Sequence, residues 1–278
     1  MIDTRALQRT LFRMQLDAKF AALVFERDAT SLASTGLSAE DLEWIFKADP
    51  VGIRADPQGR RLSQLLGNVV GEFTSVVHLA VERLGLDDVV LGFASSSEFH
   101  VAIRFDYSLP TVFADYIERR LKDVDDQVVH AISLFERTLV AARRKLRECP
   151  DLKTEQVSLA PRARLLELPE GTLDMHNRLG ASPESVNSAQ LTLGSGREVL
   201  LLTSNAASRS GGLFPVDVEV LSESVAAVLR ATESPLDWSG QRNLAEERGF
   251  EVSELREFLK SLIADGVLQS ADDELMGL

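Results

Sequence analysis

A single cysteine, Cys149, leaves the chain without a partner for an internal disulfide and without the ligands of a cysteine-rich zinc site. It reads as a reduced thiol near a domain boundary. Long apolar runs are missing too: nothing approaches the roughly 18 consecutive apolar residues of a membrane span, and Met1 to Arg5 open a helix that carries charge. The expectation is a soluble, unexported, cytoplasmic protein with no membrane partner. Histidines are few and scattered, at His78, His100, His130 and His176, without the His-x-x-x-His spacing that converges ligands on one helix face. No metal site is expected. Ser95 to Ser97 stand outside any Gly-x-Ser-x-Gly elbow, and serines ahead of a helix are ordinarily caps. Gly194-Ser195-Gly196 lacks the third glycine and the following helix of a nucleotide loop, so it reads as a hairpin turn. Catalytic residues and a bound cofactor are therefore not expected on this chain.

Positive charge is also in short supply. The 30 Lys and Arg face 43 Asp and Glu, a net charge of −13. The deficit is uneven: residues 1–150 hold 19 basic and 22 acidic side chains, net −3, while residues 151–278 hold 11 and 21, net −10. That asymmetry marks two modules with different surfaces. At 278 residues with 45% hydrophobic content, each module has enough apolar mass for its own core. A nucleic-acid reader needs Lys and Arg to displace counterions from phosphates. No nucleic-acid partner is expected for the acidic second half.

What the first half does have is helical periodicity. Leu7, Leu11, Met14, Phe20, Leu23 and Val24 form an apolar stripe over residues 4–28. Ser38 is placed to cap the amide of Asp41, opening a short helix through Trp44 and Ile45. After Asp56-Pro57, apolar residues run densely from Leu62 to Leu84, the pattern of a central bundle helix. Further helices are predicted over 96–105, 109–122 and 125–147, with Pro110 in the first turn of the second, where its missing amide costs nothing.

Beyond Arg147 the texture changes. Cys149-Pro150-Asp151 breaks the helix and an irregular segment follows. Ala163 to Leu168, Leu191 to Leu193, Val199 to Leu202 and Val216 to Val220 read as strands, with Gly194 to Gly196 turning the second into the third. Thr172 to Leu179 has a helical pattern, and Ser204 to Gly212 has the composition of a mobile loop. Helices are predicted over Ser222 to Ala231, Trp238 to Arg248 and Val252 to Asp265, stopped by Gly266, after which Val267-Leu268 returns as a short strand. The fold class is α+β: an all-α helical domain over 1–148, a linker over 149–160, a winged-helix domain of three or four strands and three helices over 161–270, and a flexible tail over 271–278.

The last of these helices carries Glu251, Glu254 and Glu257 against only Arg256 and Lys260, the wrong charge for a helix that enters a DNA groove. Its apolar positions Val252, Leu255, Phe258, Leu259 and Leu262 are core or, in part, the lining of a groove beside the strand Val216-Asp217-Val218-Glu219-Val220. The outer edge of that strand offers unpaired amides and carbonyls, onto which an extended peptide can add as another strand. Arg256 and Lys260, four apart on one helix face, are candidates to meet an acidic side chain of such a peptide.

Val199 to Leu202, Val216 to Val220, Leu221 to Leu229, Leu255-Arg256-Glu257-Phe258-Leu259 and Asp265-Gly266-Val267-Leu268 together resemble the PqqD-like peptide-recognition element of enzymes that modify ribosomally made peptides. The pattern covers about the last 80 residues. Phe99-His100-Val101-Ala102-Ile103, Asp106, Leu109-Pro110, Phe113, Tyr116 and Ala141-Ala142-Arg143-Arg144 are similar to the helical domain of proteins that partner multinuclear non-haem iron oxidases, in pathways for methanobactin and for 3-thiaglutamate-type peptides. The resemblance implies a heterodimer: a TIM-barrel oxidase holds the iron, while this subunit is non-catalytic, binds the leader of a ribosomal precursor peptide and presents the peptide. Phe99, His100, Leu109, Phe113 and Tyr116 are then the candidate oxidase contacts, with bundle core as their other role. The alternative is a cytoplasmic transcription regulator with a helical sensing domain and an acidic winged helix.

Overall fold

The computed structural model describes residues 4–16, 18–49, 52, 57–149, 151–181, 191–205 and 213–271, which form a mixed α+β fold. They divide into two compact units, residues 1–133 with 178–189 and residues 134–177 with 190–278.

The first unit is helical: α1 (Thr4–Leu16), α2 (Ala18–Phe25), α3 (Ala29–Thr35), α4 (Ala39–Lys47), α5 (Pro57–Glu72), α6 (Thr74–Leu84), α7 (Ser97–Phe105), α8 (Leu109–Leu121) and the first residues of α9 (Gln127–Arg144). The stripe over 4–28 forms two helices rather than one, and Met14, Phe20, Ala21 and Val24 cluster with Ile45 of α4. The run from Leu62 to Leu84 is likewise two helices. It breaks at Phe73, where φ −123° and ψ 37° leave the helical region. The buried Phe73 ring meets Phe113 edge-on, with centroids 5.4 Å apart. Hydroxyl caps set two of the starts: Ser38 accepts the Asp41 amide at 3.2 Å, and Ser96 accepts the Phe99 amide at 3.1 Å.

Phe93 is the hub of this core. It is 0% exposed, and its ring lies 5.2, 4.9 and 5.3 Å from those of Phe99, Phe113 and Tyr116. Phe93 follows a π-helical turn at Asp87–Leu91 that the sequence pattern did not anticipate. The Tyr116 hydroxyl donates to the Asp88 carbonyl of that turn at 2.6 Å, which satisfies a polar tip in an apolar setting.

The second unit is built on an antiparallel sheet in the order β2 (Ala163–Pro169), β3 (Arg197–Ser204), β4 (Val216–Leu221). A second antiparallel pair joins β1 (Val157–Leu159), inside the expected linker, to β5 (Leu268–Ser270). Leu191 to Leu193 is not a strand, because β2 occupies that side of β3, with Leu168 opposite Glu198. Gly194 and Gly196 instead close over Glu170: the Gly194 amide donates to its carbonyl at 2.9 Å, and a Cβ on Gly194 would come 3.0 Å from its side chain. The expected loop over Ser204 to Gly212 lies from residue 206 onward outside the described residues, as does the tail from residue 272.

Helix α10 (Thr172–Ala181) follows β2, and α11 (Glu223–Ala231), α12 (Trp238–Arg248) and α13 (Val252–Ala264) follow β4. Asp237 caps α12, accepting the Gly240 amide at 2.8 Å. Beyond α13, Gly266 takes φ 67°, a left-handed conformation that suits glycine at a helix end. One face of the sheet, with Ala163, Leu165, Leu201 and Leu221, packs on Leu229 of α11, Leu244 of α12 and Leu255, Leu259 and Leu262 of α13. The other, with Leu166, Leu168, Leu200, Leu202, Val216 and Val218, packs on Phe135 and Leu139 of α9 and Leu173 of α10. Strand β3 is buried on both sides, each leucine contributing about 1.5–3 kcal/mol. No described helix is long and apolar enough to cross a membrane.

Glu167 ties three elements together, accepting from Arg197 of β3 at 2.7 Å and from Arg230 of α11 at 3.0 Å. The Arg197 hydrogen bond first, and then the Arg230 charge, hold its carboxyl below the usual carboxylate range against the opposing effect of desolvation. The stabilisation is complete above the unfolded value of about 4.3. It is lost as pH falls through the lowered folded value. Glu167→Gln should therefore flatten the acid limb of a stability–pH profile below about pH 5 and change its neutral shape little. In the aromatic core, Phe93→Ala should lower the urea unfolding free energy by about 3–5 kcal/mol. Tyr116→Phe should lower it by about 1 kcal/mol.

Candidate functional site

Among the described residues, strand β4 is the edge of its sheet and pairs with β3 alone. Its hydrogen-bond phase follows from one contact beyond the strands. The Asn205 amide donates to the Pro215 carbonyl at 2.8 Å, in the register that sets Ser204 opposite Val216. Hydrogen-bonded pairs alternate along an antiparallel ladder, so Thr203–Asp217, Leu201–Glu219 and Val199–Leu221 are the bonded pairs. The amides and carbonyls of Val216, Val218 and Val220 consequently point away from β3, toward the open edge.

Beside that edge runs a groove of about 340 Å³ between β4 and α13. Leu201, Leu221, Val225, Leu229, Phe258 and Leu262 supply its apolar surface, and Asp217, Glu219 and Asp265 its charge. No described Lys or Arg lines it. The three carboxylates have no hydrogen-bond or ion-pair partner among the described residues. An exposed strand edge flanked by an apolar trough can accept main-chain hydrogen bonds and side chains together, which is the chemistry of peptide capture by strand addition.

The sequence-derived residues fall on both sides of this description. Asp217 and Glu219 face the groove, whereas Val216 and Val218 pack into the cluster on the opposite face and Val220 is 57% exposed. Leu255 and Leu259, each 2% exposed, are core and line no groove. Arg256 and Lys260 are also misplaced as peptide contacts. The Arg256 guanidinium stacks 3.6 Å from the Trp238 ring, and Lys260 Nζ donates to Glu257 at 2.9 Å. The reason is angular: at about 100° per residue, Arg256 sits roughly 200° around α13 from Phe258. Phe258 and Leu262, two of the apolar positions expected to line the groove in part, form with Asp265 the i, i+4, i+7 face that reaches it.

Among the candidate partner contacts, Phe99, Phe113 and Tyr116 are 0%, 1% and 8% exposed and belong to the bundle core. The need to bury aromatic surface claims them first. His100 is exposed and Leu109 half-buried. The outward face of α7 and the residue just beyond its cap carry other apolar groups that the pattern of aromatic residues did not single out: Val101 and Phe105 of the helix and Tyr107 after it are 44%, 57% and 58% exposed, and the rings of the last two stack 6.0 Å apart.

The remaining histidines make separate local contacts. His78 lies 3.5 Å from Glu82, His176 lies 3.3 Å from Glu136, and His130 Nε2 donates to the Val124 carbonyl at 2.8 Å. Among the described residues, no three His, Cys, Asp or Glu side chains gather as metal ligands would.

The phase of β4 makes a direct prediction about its own amides. Glu219→Pro removes a bond to Leu201 from within the ladder, whereas Val218→Pro removes an amide that no described strand uses. Glu219→Pro should cost about 1–3 kcal/mol more in urea unfolding; equal costs would show that the phase is reversed. No family model matches the chain, and no curated protein matches its sequence, so the groove's role is argued from its geometry.

Proposed function

We propose that this chain is a non-catalytic partner subunit of an iron-dependent peptide-modifying oxidase, and that it binds the leader of a ribosomally made precursor peptide as an added strand on β4. The observation that carries the peptide-binding part is the open edge at Val216, Val218 and Val220, lying against an apolar groove. The hairpin of β3 and β4, the helices α11 to α13 and the returning β5 follow the order of a winged helix, which supports reading residues 161–270 as a PqqD-like recognition domain. The oxidase follows from the resemblance of the helical half, and iron would be held by that partner. Its docking surface on this chain is the exposed face of α7 and the residue just beyond its cap, with Val101, Phe105 and Tyr107 as anchors and His100 beside them. Exposed aromatic groups anchor interfaces more often than small ones do. A DNA-binding regulator is the poorer reading, since α13 would bring Glu251, Glu254 and Glu257 toward phosphates while Lys260 is engaged with Glu257.

The reading predicts an iron-oxidase gene and a short precursor gene beside this one; a locus with neither overturns it. With both products in hand, Phe105→Glu should leave a folded chain that no longer co-purifies with the oxidase. Val218→Pro should weaken precursor binding at least about tenfold by calorimetry while retaining the oxidase. Co-purification unchanged by Phe105→Glu would remove α7 as the docking face.

A further inference from the structure

We propose that the groove between β4 and α13 selects an extended segment of the pattern apolar-x-basic-x-basic, running antiparallel to β4. This rests on the strand-addition reading and specifies what the added strand carries.

The ladder phase fixes which of its side chains enter the groove. A strand added at the open edge forms hydrogen-bonded pairs with Val216, Val218 and Val220, and non-hydrogen-bonded pairs opposite Asp217, Glu219 and Leu221. Directly opposed residues share a sheet face, and their side chains come closest in the non-hydrogen-bonded pairs. Three incoming side chains, spaced by two, therefore meet Leu221, Glu219 and Asp217 in that order when the segment runs antiparallel.

The chemistry of the groove changes along its length. At one end Leu221 meets Val225 of the following helix, with Leu229 buried one turn on. Toward the other end the lining includes Asp217 and Asp265. The Arg162 carbonyl accepts the Ser204 amide at 2.8 Å, its guanidinium donates to the carbonyls of Gly266 and Asp265, and Ser204 stands opposite Val216. Glu219 lies between the two ends. An apolar side chain thus suits the Leu221 position, and basic ones suit the next two.

Among the described residues, nearby cations do not neutralise these carboxylates. Arg162 is committed to main-chain carbonyls, Lys260 to Glu257, Arg230 to Glu167 and Glu223, and Arg256 to the Trp238 ring. Lysine or arginine stems can lie over Phe258 and Leu262 while their heads reach the acids. An acidic segment would meet like charge at two successive positions.

The test uses the full chain and three labelled synthetic peptides in a neutral Thr/Ser background, with cores Leu-Thr-Lys-Thr-Lys, Leu-Thr-Glu-Thr-Glu and the reversed Lys-Thr-Lys-Thr-Leu, read by fluorescence anisotropy. The first should bind about tenfold tighter than the second. It should also bind tighter than the reversed peptide, and its margin over the acidic one should shrink between about 50 mM and about 500 mM salt. Asp217→Asn with Glu219→Gln should abolish the preference, Asp217→Lys with Glu219→Lys should invert it, and Arg256→Glu should leave it unchanged, with circular dichroism confirming each fold. Equal affinity for basic and acidic peptides, lost for both in Val218→Pro, overturns the charge pattern and leaves strand addition standing. Binding indifferent to Val218→Pro overturns strand addition as well, and so does an absence of binding by all three.

Discussion

Strand β3 carries Leu201 into one apolar cluster and Leu200 and Leu202 into the other, so a one-residue slip would exchange the two sets and expose neither to water. What prevents the slip is the pairing on both flanks. Ser204 donates to Arg162 on one side, and Asn205 donates to Pro215 on the other. With β3 held between them, the alternation of β4 has no freedom left: its bonded amides turn inward at Asp217, Glu219 and Leu221, and its free ones turn outward. The edge is therefore a product of the core, two strands removed from any surface selection.

The two units divide their burdens differently. In the first, Phe93 and the rings around it absorb the aromatic residues of α7 and α8, leaving Val101, Phe105 and Tyr107 on the opposite face. In the second, part of the acidic excess rims the groove, where Asp217, Glu219 and Asp265 border the apolar cluster of Leu201, Leu229 and Leu262. A surface apolar patch and an acidic trough are surfaces of unlike chemistry, suited to unlike contacts.

Much of the helical order is readable from the sequence because its determinants are local. Ser38, Ser96 and Ser222 cap helices whose first apolar residues follow at once, and Gly249 and Gly266 close others. Strand β1 is not readable, since Val157 to Leu159 is three residues long and its partner strand lies near the end of the chain. The strand assigned at Leu191 to Leu193 fails for the same reason: local pattern does not say that β2 already fills that position. The groove was half readable. Alternation gives the faces of β4 correctly, but charge drew attention to Arg256 and Lys260, while the apolar spacing of Phe258 and Leu262 marks the side of α13 that meets the sheet. Phe99, Phe113 and Tyr116 looked like contacts because aromatic residues anchor interfaces and cores alike, and only burial separates the two.

An open strand edge is also a template for a second copy of itself. Two β4 strands meeting antiparallel through their outward amides would set Val218 against Val218, and so oppose Asp217 of each copy to Glu219 of the other. Like charges directly opposite one another destabilise a sheet. The acids that rim the groove thereby act as gatekeepers against aggregation. The empty edge repels its own kind, and a strand that pairs with it must bring a different pattern of charge.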